Sequence, residues 1–498
     1  MSNFNYYLSG FFVAFILGAS ACTTKIDKAT DAYNLGDFQT AADAAEKIAP
    51  NIKKDGMKRF DVQYERDELW VGLEKSKMLG EAGKMNESVD AFECVDKRAQ
   101  FLCNAESWYA KNPLDMSNWD AGQFAEDAGK AFVGADQTTY ILQPYEMILG
   151  LSYASLNSLL GDIEGAEQFA AMLVKIQQFE KEDLKRGGYD DIAAPTGKMD
   201  GALKTVLAGK SSNFSFGPIF SLGDFTGAKS KMKSTIDAAR AVNAANPLIP
   251  FSTVVQWAAF VKAGRTAEAE GAAKDVSETS GAKTLSEQMS KYSKTGSGDF
   301  VLVLIDAGRG PIRQFFEVKS PIIIPNVGST FFRAVYPELK FRVADRPSDI
   351  RVGGGGALVT ASILDSIDAI AARNFQRREL ELWWTPTIRA VFRAVVTIVA
   401  QATQKEEDKT TKFLIGLAGT VVAAAEQPDL RAWSSLPASQ YAAIIPRPAD
   451  GVVKIELKSQ ASIGSVQVKV GPGASIVYVR ALTPSIRSAQ TASLSRKK

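Results

Sequence analysis

The residues able to carry covalent or acid–base chemistry are few in kind. The chain has no histidine, which removes Ser-His-Asp and Cys-His hydrolases, HExxH zinc sites and imidazole acid–base catalysis. Ser280-Gly-Ala-Lys283 and Lys294-Thr-Gly296 spell the SxxK and KTG elements of penicillin-recognising serine enzymes. In those enzymes the serine opens a buried helix and KTG lies on a distant strand beside it. Here both fall in one polar stretch, and Ser211-Ser-Asn213 precedes them instead of lying between them. Ser230-Lys-Met-Lys233 is a second accidental SxxK. Gly308-Arg-Gly310 and the run Gly353 to Gly356 lack the spacing of a phosphate loop or dinucleotide fingerprint. Asp365 and Asp368, three apart near Arg373, read as the solvated polar face of one helix. The sequence therefore offers no catalytic residue, no metal ligand set and no cofactor. A glycan-active enzyme built on carboxylates is the enzymatic alternative, and it needs two carboxyls about 5–10 Å apart across a cleft.

Charge and cysteine content narrow the setting. Lys and Arg number 58 against 56 Asp and Glu, so the chain carries no basic footprint for nucleic acid. Its 498 residues suggest two to four domains at about 150 residues each. Cys94 and Cys103 sit in FECVDKRAQFLCN between two expected helices. In an oxidising compartment they could pair, and so small a loop would add about 2–3 kcal/mol. The other reading is two buried thiols in helix packing. With no histidine and no further thiolates nearby, zinc is not expected.

Residues 1–21 read MSNFNYYLSGFFVAFILGASA and contain no charge. The apolar run Phe11 to Leu17, followed by small residues, has the form of a secretory signal and is short of a membrane span. Ala19-Ser-Ala-Cys22 resembles a bacterial lipobox, although Ala19 stands where Leu is usual. The resemblance makes Cys22 the lipidation site, with several acyl chains fixing a soluble body to a membrane. Thr23 and Thr24, with no Asp after the cysteine, imply by the same resemblance the outer membrane and its periplasmic face.

Residues 22–292 read as a helical repeat domain. Ala32, Tyr33, Gly36, Phe38, Ala41 and Ala44 have the spacing of a tetratricopeptide hairpin. The pattern returns with Trp70, Leu73, Gly83, Ala91 and Phe92, and again with Tyr153, Leu156, Leu160, Gly161, Gly165, Ala166 and Phe169. A weaker copy holds Trp257, Gly264, Ala267 and Ala269. Long inserts near 104–140 and 180–245 separate the copies. Such repeats stack and offer a concave surface for protein segments. The aromatics are either groove anchors or inter-helix packing, and packing is the commoner role.

Residues 293–486 change period and read as an α+β domain. GDFVLVLIDAGRGPIRQFFEV is expected to form a β-hairpin with a wide loop. SPIIIPNVG, LKFRVAD, GVVKIELKS, GSVQVKVGPG and ASIVYVRAL read as further strands of a small antiparallel sheet or sandwich. ALVTASILDSIDAIAARNFQRRELELW, TPTIRAVFRAVVTIVAQA and KFLIGLAGTVVAAAEQ read as helices packed on it. Residues 487–498 read as a disordered basic tail. The fold class expected is thus α+β, with an all-α repeat domain preceding a mixed domain.

The lipobox-like cysteine, the repeats, LVLIDAGRGPIRQFFEVKSPIII and PDLRAWSSLPASQYAAIIPRPADGV occur in that order. Together they resemble a poorly characterised family of bacterial envelope lipoproteins with tetratricopeptide-like repeats. The most specific strings are Asp306-x-Gly308 and Asp429-x-Arg431-x-Trp433-x-x-Leu436-Pro437. The resemblance implies a non-enzymatic protein, often encoded beside a lipoprotein activator of peptidoglycan synthases. The expectation is a scaffold or adaptor that grips another envelope protein, not identified, and meets the membrane through its lipid anchor. The alternative is a structural subunit of an envelope assembly. Asp429, Arg431, Trp433, Leu436 and Pro437 read either as a structural lock or as a partner clamp. In the lock, Asp429 and Arg431 pair or satisfy turn amides and Trp433 covers apolar surface.

Overall fold

The computed structural model describes residues 23–48, 62–102, 140, 142–185, 249–277, 282–295, 298–324, 328–342, 347, 349–377, scattered positions between 382 and 397, 428–459 and 462–495. The expected leader 1–21, Cys22, Cys103, most of the two long inserts and the apolar segment 412–427 fall outside these residues. Among the described residues no helix is long and apolar enough to cross a membrane. The fold is mixed α+β.

Helices come in pairs joined by short glycine turns. α1 (Thr23–Asn34) and α2 (Phe38–Ile48) turn at Gly36, and α3 (Val62–Glu81) and α4 (Met85–Leu102) at Gly83. α5 (Pro144–Leu160) and α6 (Ala166–Lys185) turn across Gly161 to Gly165, and α7 (Pro250–Ala263) and α8 (Thr266–Ser277) at Gly264. α9 (Lys283–Thr295) packs on α8, and each pair packs on the next. Gly264 shows why glycine recurs. It is left-handed at φ +73, and its N–H reaches back to the carbonyls of Phe260 and Val261, which no longer have helical donors.

α5 is deeply placed, with every residue from Tyr145 to Leu159 buried. A helix apolar all round belongs in an interior. Its serines are tolerated because they bond locally: Ser152 Oγ donates to the Ile148 carbonyl at 2.6 Å and Ser158 Oγ to that of Ala154 at 2.8 Å. Pro144 opens the helix, and the Glu146 carboxylate accepts the Gln143 N–H at 2.8 Å.

The described strands make three sheets. A five-stranded sheet has the order β11 (Arg487–Ser493), β10 (Ser475–Ala481), β1 (Phe300–Ala307), β7 (Ser439–Pro446), β6 (Ser362–Ser366). A four-stranded antiparallel sheet has the order β5 (Ala357–Thr360), β4 (Asp349–Gly354), β8 (Val452–Lys458), β9 (Ile463–Lys469). Among the described residues β2 (Ile312–Ile324) and β3 (Gly328–Lys340) pair only with each other. α10 (Ile367–Arg377) follows β6.

The five-stranded sheet is the middle layer. Leu302, Leu304, Ile444, Ile476 and Tyr478 join one apolar cluster with α3 to α9, while Val301, Val303, Ile305, Val477 and Val479 join another with the four-stranded sheet. β1 is buried along its whole length, which is why it reads FVLVLIDA without alternation. The first cluster runs unbroken across residue 292, so helices and sheet share one core.

Four expectations are corrected. β1 and β2 do not form a hairpin with each other: β1 joins the central sheet, where β10 lies parallel to it, and β2 pairs with β3. The parallel pair makes that sheet mixed, not antiparallel. The stretch 357–377, read as one helix, divides into β5, β6 and α10, because the β-branched residues around Val359 and Ile363 complete sheet edges. Residues 487–493 are not a disordered tail but strand β11, paired antiparallel with β10 from Arg487↔Ala481 to Ser493↔Ser475. Its alternation of small and polar side chains is weak as a signal, yet the neighbouring strand supplies the ladder.

Candidate functional site

A row of polar residues crosses the central sheet at one register. Asp365 on β6 pairs with Gln440 on β7, Gln440 with Asp306 on β1, Asp306 with Arg480 on β10, and Arg480 with Ser488 on β11. Asp306, Gln440 and Arg480 have no solvent exposure. The first helix of each pair lies over the sheet. Tyr33 on α1, Lys77 and Glu81 on α3 and Tyr153 on α5 complete the network, and Phe251 on α7 meets Asp365.

Lys77 organises the centre. Its Nζ donates to Glu81 Oε1 at 2.6 Å, Asp306 Oδ2 at 2.8 Å and the Tyr478 hydroxyl at 2.7 Å, which uses all three ammonium protons. It also lies 3.6 Å from the centre of the Tyr153 ring. The Tyr153 hydroxyl donates to Asp306 Oδ2 at 2.6 Å, and Gln440 Nε2 donates to Asp306 Oδ1 at 3.2 Å. The Tyr478 hydroxyl sits 2.6 Å from Glu81 Oε1 and 2.8 Å from Asp306 Oδ2. Arg480 Nη1 donates to the Gly308 carbonyl at 2.7 Å, and its Nε donates to the Tyr33 hydroxyl at 2.8 Å. Tyr33 in turn donates to the Ser435 carbonyl at 3.0 Å.

Burial alone would push the Asp306 carboxyl up. The charges of Lys77 and Arg480 and the bonds from Lys77 and Tyr153 override this and hold it below the ordinary carboxylate range. Burial pushes the Tyr33, Tyr153 and Tyr478 phenols up, so they stay protonated donors. Arg480 is held charged: burial opposes its cation, but Tyr33, Glu81 and Asp306 raise it. Two cations thus face two carboxylates within the buried interior. Asp365 differs. Burial, only partly offset by the Phe251 N–H at 2.7 Å and by Arg373, pushes it up to about 8.

The 429–437 segment ties the helices to the sheet. Arg431 pairs with Asp429 through Nε at 2.8 Å and Nη2 at 3.1 Å, and its guanidinium lies over the Tyr140 ring. Trp433 is buried against Tyr153 and Phe92, its indole N–H donating to Ser435 Oγ at 2.9 Å. The Trp70 indole donates to the Ala432 carbonyl at 2.9 Å. Glu74 is fully buried and accepts the Ser434 N–H, the Ser434 hydroxyl and the Ser435 N–H. Burial raises its carboxyl, and the bonds from Ser434 and Ser435 oppose the rise. Leu436 is buried, and its carbonyl takes the Gly310 N–H at 2.8 Å; Pro437 follows it along the same wall. Arg342 spans this seam, donating to the carbonyls of Gly310 and Ser434 and to Asn34 Oδ1. Burial and the neighbouring Arg309 and Arg480 lower it to about 10.

The remaining sequence candidates are dispersed. Lys283 and Lys294 stand at opposite ends of α9, while Ser280, Gly296, Ser211, Asn213, Ser230 and Lys233 lie outside the described residues. Cys94 is half-buried on α4, and its suggested partner Cys103 is not described. Asp365 and Asp368 do not share a helix. Asp365 ends β6, Asp368 begins α10, and both are buried, which corrects the solvated-face reading. Among the described residues no group of three or more His, Cys, Asp or Glu could hold a metal ion.

The Lys77 ammonium has every proton engaged, which makes it a poor nucleophile, whereas Glu81 Oε2, Gln440 Oε1 and Arg480 Nη2 are buried without a hydrogen-bond partner. A cleft lies to one side, lined by Gln143, Arg313, Asn374, Phe375, Trp433 and Leu436, with a volume of about 20 Å³. That is room for about one water. The first helices of the pairs face the chain's own central sheet. Lys77, Glu81, Gln440 and Arg480 were missed in the sequence; the signal was an acidic residue ending FVLVLIDA and a basic one interrupting SIVYVRAL. No family model, no curated protein and no solved structure matches this chain.

Proposed function

We propose that the chain is a non-enzymatic scaffold or adaptor of the bacterial cell envelope, held at the outer membrane through a lipidated Cys22. In this reading α1 to α8 are four tetratricopeptide-like repeats. The glycine turns and the series packing of the pairs support that assignment. One observation carries the scaffold reading: the polar row from Asp365 to Arg480 is sealed beneath the first helices, where Lys77 and Arg480 face Asp306 and Glu81. In this reading the buried ionic layer fixes how helices and sheet seat on each other. The outward helices α2, α4, α6 and α8 are then the gripping surface. The family resemblance directs the partner toward the machinery of cell-wall synthesis.

Photo-cross-linking in intact cells tests this. A benzophenone side chain is placed at Lys97 on α4, Val174 on α6 or Lys274 on α8, all exposed. The expected result is a discrete adduct with another envelope protein at one of these positions. Adducts only with a second copy would favour a structural assembly, and no adduct at any position would end the scaffold reading. Mass spectrometry of the mature N-terminus tests the anchor, and an unacylated residue there would refute it.

A further inference from the structure

The cleft beside the polar network has a one-sided chemistry. Its floor is apolar, with Ile367, Trp433 and Leu436 all buried. Phe375 on α10 and Leu339 on β3 pack together along one wall. Two amides also line it, but both serve their own helices. Asn374 Nδ2 donates to the Ile370 carbonyl at 3.0 Å, and the Gln143 side chain belongs to the capping box of α5. Among the described residues the one charged group in the lining is Arg313.

Arg313 stands on β2 directly opposite Leu339 and is half-buried, so it sits at the rim. The nearby carboxylate of Asp429 is already committed to Arg431, by bonds of 2.8 and 3.1 Å. A guanidinium carries five N–H donors. Among the described residues, none of those on Arg313 is spent on a carboxylate. Two positions along the same strand, and therefore on the same face, is Phe315. Its side chain is 50% exposed, although it is a large apolar group. One strand face thus leads from a cation at the cleft to an open aromatic ring outside it.

We propose that this cleft binds the head of a small monocarboxylic acid with a hydrocarbon tail, the carboxylate on Arg313 and the tail along Leu339 and Phe315. A guanidinium matches a carboxylate through two parallel charge-assisted N–H···O bonds. A ligand site is commonly a mostly apolar hollow with one or two polar groups that fix orientation. The enclosed volume of about 20 Å³ takes one water-sized group, which is the size of a carboxylate oxygen. The head enters and the tail lies over the rim. A peptide end is disfavoured, because its amides would lose water against carbon walls whose own amides are engaged. This inference does not depend on the scaffold reading or on Cys22.

The test is saturation-transfer NMR on the full chain, observing the ligand. The probes are hexanoate, the uncharged hexanol of equal length, and a tetrapeptide that ends in leucine with a free carboxylate. Hexanoate should receive transfer, and hexanol should bind at least several-fold more weakly. Arg313→Gln, at a half-exposed position, should cut hexanoate affinity at least several-fold with the melting temperature little changed. Ala371→Leu should fill the cleft and abolish the signal. Lys454→Gln on β8, on the other sheet, should leave it intact. Equal binding of hexanol and hexanoate would overturn the proposal. So would unchanged affinity in Arg313→Gln, equal loss in Lys454→Gln, or displacement of hexanoate by the tetrapeptide at lower concentration than by unlabelled hexanoate itself.

Discussion

Lys77 Nζ lies 2.8 Å from Asp306 Oδ2, although 229 positions of chain separate them and both side chains are sealed from solvent. This contact joins α3 to the central strand, so removing one partner strands the other in the interior. Lys77→Met should destabilise the protein by about 3–5 kcal/mol. Adding Asp306→Asn should recover part of that loss, because Glu81 and Arg480 then still balance. Urea unfolding midpoints of the two variants and the parent measure it.

Asp306 also sets an acid limit. Its folded carboxyl lies below the ordinary range, so its contribution is complete above the unfolded value near 3.8 and is lost as pH falls through the lower folded value. Melting temperatures from pH 6 down to pH 2.5 should therefore fall less steeply at the acid end in Asp306→Asn than in the parent. Parallel curves would refute this.

Asp365 predicts the opposite slope. Its folded value is pushed up to about 8 against an unfolded 3.8, so the folded state binds the extra proton between those values. Stability should decline as pH rises across that window, by at most about 1.4 kcal/mol per unit. Asp365→Asn should flatten the decline, so that its melting temperature relative to the parent is higher at pH 8 than at pH 5.

Tyr33→Phe should cost about 1–3 kcal/mol, since it leaves the Arg480 Nε and the Ser435 carbonyl without their shared hydroxyl. The loss should be local. Hydrogen exchange should speed up across Thr23 to Ile48 more than across α5.

Gly36 is left-handed at φ +83, and a methyl group there would meet Ile486 on the β10–β11 connection. Gly36→Ala should destabilise by about 1–2 kcal/mol from backbone strain and collision together. Ile486→Ala in the same chain should relieve the collision alone. A double-mutant cycle that returns no coupling would show that the turn and the connection do not press on each other.

Helix pairing was legible because its signals are local. A glycine after an apolar stripe marks a turn wherever the chain goes next, and Gly36, Gly83 and Gly264 do so. The polar lock was not, because its members lie on α1, α3, α5, β1, β7 and β10, and only the fold makes them neighbours. Single residues did carry a trace of it: Asp306 and Arg480 are charged where a doubly covered strand should be apolar. The strand at 487–493 was illegible for another reason. Arg-Ser-Ala-Gln-Thr-Ala-Ser has almost nothing to bury, and its place comes from the ladder with β10. The split of 357–377 was hidden because a run of Ala, Ile and Asp satisfies helix and strand templates alike.

The parallel pairing of β1 with β10 spans 174 positions between Asp306 and Arg480. A ribosome completes the helices and β1 long before β10 exists. Until then Tyr33 lacks Arg480, and Lys77 and Glu81 lack the Tyr478 hydroxyl. A chain cut after residue 474 would therefore keep the helices and β1 but lose the strand that completes their buried polar contacts.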